Sequence, residues 1–169
     1  RQCGKTTLAR MLLKHRATGL YRNWDEDEFR RAWAKNPSVL IPRARQGDVP
    51  LVVFDEIHKD RRWKRNLNGV FDTLETPCDI LVTGSARLNV YMKGSDSLLG
   101  RHLSFRLHPF SIREMGKPDV LAPDAMYVAL ASRAQRRMKA WEENLTSLLT
   151  YGPFPEPLLA QDARKARLW

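Results

Sequence analysis

Cysteine is scarce in this 169-residue chain: there are two, Cys3 and Cys78, which make no disulfide framework and have no metal-ligand spacing. No apolar run approaches the roughly 20 residues that span a bilayer, and no secretory leader is recognisable. The expected setting is therefore a reducing cytoplasm, without a membrane partner. Acidic residues are also in short supply. There are 19 aspartates and glutamates against 29 lysines and arginines, a formal net charge of +10. Such a field favours polyanions, among them nucleic acid and nucleotides. A plainer source of the excess is a chain cut from a larger protein whose remainder balances it. Repeats and low-complexity tracts are missing too. Hydrophobic residues at 43% and charged residues at 28% fit a globular protein, long enough for one well-buried domain and a small appendage.

What the chain does have is Leu51-Val52-Val53-Phe54-Asp55-Glu56, four apolar residues that end in two carboxylates. Bounded by Gly47 and Pro50 before and by His58 and Lys59 after, the run reads as a strand buried on both faces. Side chains alternate along a strand, so Asp55 and Glu56 point in different directions. Ligands of open α/β sheets collect at the C-terminal ends of the strands. One acid can hold a metal there while the other faces a water. Alone, the same pattern is an ordinary core strand stopped by solvated acids.

The front of the chain raises the first reading. Arg1-Gln2-Cys3-Gly4-Lys5-Thr6-Thr7 matches the back of G-x-x-x-x-G-K-[ST], whose leading glycine would precede Arg1. Gly4 lets the backbone approach phosphates, and the amides around it form an anion-binding nest. Lys5 would reach the β- and γ-phosphates, the Thr6 hydroxyl would ligate magnesium, and Thr7 completes the nucleotide-contacting run. A helix follows with Leu8, Met11 and Leu12 on one stripe, expected to end near Gly19. Its N-terminus adds partial positive charge under the phosphates.

Further on, Tyr21–Trp24 reads as a short strand. Asp25 and Glu28 have capping-box spacing ahead of a helix with Phe29, Ala32 and Trp33 that stops at Asn36-Pro37. After the acidic strand, Trp63, Leu67, Val70, Phe71 and Leu74 define an amphipathic helix ending before Pro77. Its basic start, 61–65, offers Trp63 either as core or as a platform for a nucleic-acid base. Ile80–Ser85 is a second buried strand with a polar tip. Thr83 and Ser85 are both placed to sense a γ-phosphate, and Ser85 equally suits a helix N-cap.

Residues 93–101 read as a loop. Arg101 precedes Leu103, Phe105 and Leu107, which alternate as an edge strand would. Ser111 and Glu114 form another capping box. From about Asp124 helices take over. One carries Met126, Leu130, Ala134 and Met138 with a basic face of Arg133, Arg136, Arg137 and Lys139. A second spans about Glu142–Thr150. A rigid turn over 151–157 and a basic helix up to Trp169 follow.

Alternating strands and helices imply an α/β three-layer sandwich around a mostly parallel sheet, followed by a small helical region. The order of Gly4-Lys5-Thr6-Thr7, Phe54–Lys59, Thr83-Gly84-Ser85, Gly100-Arg101, His108–Glu114 and Gly152–Glu156 resembles the prokaryotic AAA-type P-loop ATPases. That family joins a P-loop domain to a C-terminal domain of unknown function, often winged-helix-like. The resemblance implies residues 1–118 as an ATPase core without its first strand, and 119–169 as a region leading to its own C-terminal domain. Without that strand the sheet is expected to leave unpaired edges and marginal stability. ATP and Mg2+ are the implied cofactors.

In such a site Lys5 and the loop amides hold phosphates, and Thr6 and Asp55 hold the metal. Glu56 orients the attacking water, Thr83 or Ser85 senses the γ-phosphate, and Arg101 serves as a stabilising finger in its own subunit or in a neighbour of a homo-oligomer. Two rivals remain. A kinase would need its own substrate pocket, and the Asp-Glu pair argues against it. A basic nucleic-acid-binding module would bind DNA indifferently to changes at Lys5 and Glu56.

Overall fold

Helix and strand alternate along the front of the chain. The computed structural model describes residues 2–44, 47–85, 101–116 and 138–168. In order come α1 (Lys5–Lys14), β1 (Gly19–Asn23), α2 (Asp27–Lys35), β2 (Leu51–Asp55), α3 (Trp63–Asp72) and β3 (Asp79–Val82). Single 3-10 turns at Pro37–Leu40 and Ile57–Lys59 flank β2. Contacts gather Cys3–Phe105 into one unit and the chain from Arg106 into another.

The three strands are all parallel, with β2 in the middle. A strand paired on both sides and covered on both faces must be apolar at every position but its end, and β2 is buried throughout. Val52 and Phe54 face Phe29 and Trp33 of α2 and Trp63 and Leu67 of α3. Leu51 and Val53 face the other way, onto Ala9 of α1. Helices on both faces of a parallel sheet make the three-layer α/β sandwich that the alternation of elements predicts.

Aromatic contacts hold the larger core. The Phe29 ring stacks on Phe54 at 5.7 Å and an interplanar angle of 9°, and Trp33 meets Phe54 edge-on at 5.0 Å. Trp33 also buries an N–H, which donates to Asp60 Oδ2 at 3.0 Å and so avoids the cost of an unpaired donor. Trp63 is 4% exposed. It is core, and no base can stack on it.

Several local expectations are corrected. α1 ends at Lys14, well before Gly19, which instead opens β1. A Cβ on Gly19 would stand 2.6 Å from Leu13 Cδ2, so the glycine serves a close helix–strand approach. The stripe Leu8, Met11, Leu12 is exposed; Ala9 and Leu13, one turn apart, cover the sheet instead, and the small Ala9 lets the helix axis come near. Asp25 is not an N-cap. α2 starts at Asp27 behind Glu26, with no side-chain cap, and Asp25 pairs with Lys59 Nζ at 2.7 Å. No strand forms through Leu103, Phe105 and Leu107. Phe105 is 85% exposed, and an alternating segment needs a neighbouring ladder that no described strand supplies.

In the second unit the Ser111–Glu114 capping box forms as expected and opens α4 (Ile112–Met115). Then come α5 (Met138–Tyr151), α6 (Pro155–Ala160) and α7 (Ala163–Leu168). Gly152, at φ 77°, ends α5 and donates its N–H to the Leu148 carbonyl at 2.9 Å. The rigid turn expected over 151–157 is shorter than that, since Pro155 starts α6, where a helix tolerates proline. The loop at 93–100, the helix through Met126, Leu130 and Ala134 with Arg133, Arg136 and Arg137, and the boundary after 118 lie outside the described residues.

Candidate functional site

One step along β2 decides where its acid goes. Asp55 follows Phe54 and therefore shares a face with Leu51 and Val53, toward α1. Thr6, on the first turn of α1, is on that side, and its hydroxyl donates to Asp55 Oδ2 at 2.7 Å. The neighbouring strands add to this meeting. Asn23 stands opposite Asp55, and Phe54 stands opposite Val82. Tyr21, two residues before Asn23, thus lies on the α1 face, as does Thr83 just past β3. The Tyr21 hydroxyl donates to Asp55 Oδ2 at 2.6 Å, and the Thr83 hydroxyl donates to Oδ1.

Asp55 is 1% exposed. Burial by itself would push its carboxyl up. The hydroxyls of Thr83, Tyr21 and Thr6 and the Glu56 amide together outweigh that effect and hold the carboxyl below its ordinary value. A carboxylate that accepts several donors is stabilised in its charged form. The Tyr21 phenol moves the opposite way, raised by burial and by the Asp55 charge, and so stays a donor.

Gly4 prepares the other half. It is the N-cap of α1 with φ 86° and ψ 17°, a conformation that a side chain strains. No side chain caps this helix start and no acidic residue lies in its first turn. Its first amides and the positive end of its dipole are left for an anion. Lys5 and Thr6 are half-buried there and Thr7 is exposed.

Glu56 turns away from Asp55. Its φ of 59° starts the 3-10 turn, and its side chain remains 30% exposed. Ser85 stands beside the same turn, 3.1 Å from His58 Nε2. Arg101 is not brought to this cluster. It pairs with Asp72 at 2.6 Å and lies over the Phe71 ring at 5.4 Å. Both are in the last turn of α3, which runs back from the Asp55 end of the sheet. Two residues of the site region escape the sequence reading. Tyr21 was legible only as a strand residue, although alternation and register would place it beside the acid. Asp60 anchors the turn after β2, taking the Arg62 N–H at 2.9 Å and the Asn66 amide at 3.2 Å; no spacing signals it.

The donor set fits a hard cation. Among the described residues no group of three or more His, Cys, Asp or Glu could cage a metal. Magnesium does not ask for one. It keeps waters and phosphate oxygens and takes one or two protein oxygens, which an ionised Asp55 and the Thr6 hydroxyl supply.

A glycine in the left-handed region ahead of Lys-Thr, at the start of a helix that covers a parallel sheet and meets its buried strand-end acid, defines a nucleotide-binding domain of the P-loop class. Comparison with family models gives a match described as an AAA domain over residues 1–116, and the chain belongs to this family of AAA-type P-loop ATPases. No curated protein and no solved structure matches it. No helix among the described residues is long and apolar enough to cross a membrane.

Proposed function

We propose that this domain binds ATP with Mg2+ and hydrolyses it, driving work on a partner. The observation that supports this most directly is the 2.7 Å contact between Thr6 of the phosphate loop and Asp55 of the acidic strand. Two segments far apart in sequence meet where a β,γ-phosphate and its metal would sit. Lys5 and the α1 amides hold the phosphates. Thr6 and the ionised Asp55 would hold the cation, whose positive charge would stabilise phosphoryl transfer. Glu56 lies in the first turn after β2 and remains partly open to solvent, a place from which a carboxylate can orient a water. Thr83, donating to Asp55, ties the tip of β3 to the metal site. Arg101, seated on Asp72, enters only in trans, as a finger toward a neighbour's phosphate in a homo-oligomer.

The test is ATP turnover and nucleotide affinity on the full-length protein, with and without DNA. Lys5→Ala is expected to lose binding, and Glu56→Gln to bind ATP while losing turnover. Turnover in Glu56→Gln equal to wild type would retire Glu56. Salt-sensitive DNA binding unaffected by either change, without turnover, would favour the nucleic-acid module instead.

A further inference from the structure

Glu56 is held in a conformation that non-glycine residues rarely adopt. Its φ of 59° and ψ of 20° are strained for a side chain, and surrounding contacts must hold them. Those contacts are on hand. Ile57 is buried, the Lys59 N–H closes on the Glu56 carbonyl at 3.1 Å, and the Glu56 N–H reaches the Thr83 hydroxyl at 3.4 Å. The resulting turn folds His58 back beside the acid it follows. His58 Nδ1 stands 3.6 Å from Glu56 Oε2. On the opposite edge of the ring, Nε2 shares a hydrogen bond with Ser85 Oγ at 3.1 Å. One imidazole, its side chain 9% exposed, spans the acid and the segment that follows β3.

We propose that His58 is a positioning residue that ties the orientation of Glu56 to the position of Ser85. The proposal rests on the hydrolase reading of Glu56 given above. At 3.6 Å the imidazole faces the carboxylate from just outside hydrogen-bond range, so it guides the acid without locking it. The ring is rigid and its two nitrogens point in opposite directions. A shift of Ser85 toward a phosphate therefore moves Nδ1 relative to Glu56. Phosphate occupancy at the tip of β3 is conveyed to the water-orienting carboxylate through a single side chain.

The test uses the full-length protein and measures kcat and KM for ATP, affinity for a fluorescent ATP analogue, and Tm. The variants are Glu56→Gln, His58→Ala, His58→Asn, Ser85→Ala and the double change His58→Ala with Ser85→Ala. His58→Ala is expected to lower kcat about ten- to a hundredfold, the scale of a misplaced catalytic group, with KM and affinity unchanged. His58→Asn, which keeps an amide near the Nδ1 position, recovers part of the loss. Ser85→Ala lowers kcat too, and the double variant is no slower than His58→Ala, since residues acting along one path are non-additive. Losses that add, or a fall in Tm with kcat untouched, would overturn the proposal. Glu56→Gln separates the two levels. If that variant is inactive while His58→Ala turns over normally, only the role of His58 is lost. If it turns over ATP like wild type, or the wild type has no turnover, the hydrolase reading fails first and the positioning role with it.

Discussion

Tyr21 and Thr6 donate to the same oxygen of Asp55, at 2.6 Å and 2.7 Å. One comes from the strand beside the acid and the other from the helix above it. The Arg10 guanidinium lies over the Tyr21 ring at 5.0 Å, which keeps the phenol in place from the α1 side. Tyr21→Phe keeps the ring and removes one hydrogen bond to a charged acceptor, worth about 1.5 kcal/mol at a half-buried site. Urea unfolding at neutral pH is expected to show a loss of that size with an unchanged m-value. An equally stable variant would mean that water replaces the phenol at no cost.

Asp55 also sets a pH dependence. Its carboxyl lies below the ordinary value of 3.8 in the folded chain, so the unfolded chain binds its proton first as pH falls. The stability it contributes is fully present above about pH 4 to 5 and is lost as pH drops through the lower, folded-state value. Asp55→Asn should flatten the acid limb of the stability curve across that window, and Tyr21→Phe should flatten it in part. Both are read by denaturant melts at a series of pH values. An Asp55→Asn curve parallel to wild type would show that other carboxylates dominate acid unfolding.

The large elements were legible because they rest on periodicity and on punctuation. Five consecutive buried residues in β2 can be read from an apolar run, and Gly4-Lys5-Thr6 from a motif whose residue types are fixed by phosphate chemistry. The meeting of Thr6 with Asp55 followed once the phosphate loop was placed at the C-terminal end of the sheet that carries the acid. What failed was local and depended on packing. The apolar residues Leu8, Met11 and Leu12 resemble a core stripe, yet Ala9 and Leu13, four apart on another face of the helix, are the ones that cover the sheet. Asp25 has the spacing of a cap but is drawn to Lys59, which lies far off in sequence. Tyr21 was hidden for a related reason. Its role needs the register between β1 and β2, which a single sequence does not print.

Gly19 offers a test of that packing. Leu13 Cδ2 would lie 2.6 Å from an added Cβ, and the Leu51 carbonyl 3.5 Å from it. Only the leucine side chain has to give way. Gly19 is exposed and meets only the flexible tip of Leu13, so Gly19→Ala is expected to destabilise the domain by at most about 1 kcal/mol, the low end of overpacking costs. Combined with Leu13→Ala, the two changes should cost less than their sum, because the truncated side chain removes the clash. Additive losses in thermal or urea melts would place the strain elsewhere.

Gly4 tests whether conformation or space governs the phosphate loop. Its φ is 86° and nothing lies within 4 Å of an added Cβ, so a substitution meets backbone strain without a clash. Alanine at this position should cost about 1–2 kcal/mol for the left-handed conformation or, by relaxing out of it, turn the first amides of α1 away from the anion. Asparagine visits this region more readily than other side chains. Gly4→Asn should therefore keep more stability and more ATP affinity than Gly4→Ala, although its side chain is the larger. Titration with a fluorescent ATP analogue alongside urea melts separates the two effects. Should asparagine prove the worse substitution, size would outweigh backbone conformation, and the loop would have to close more tightly around its phosphates than the open space at Gly4 implies.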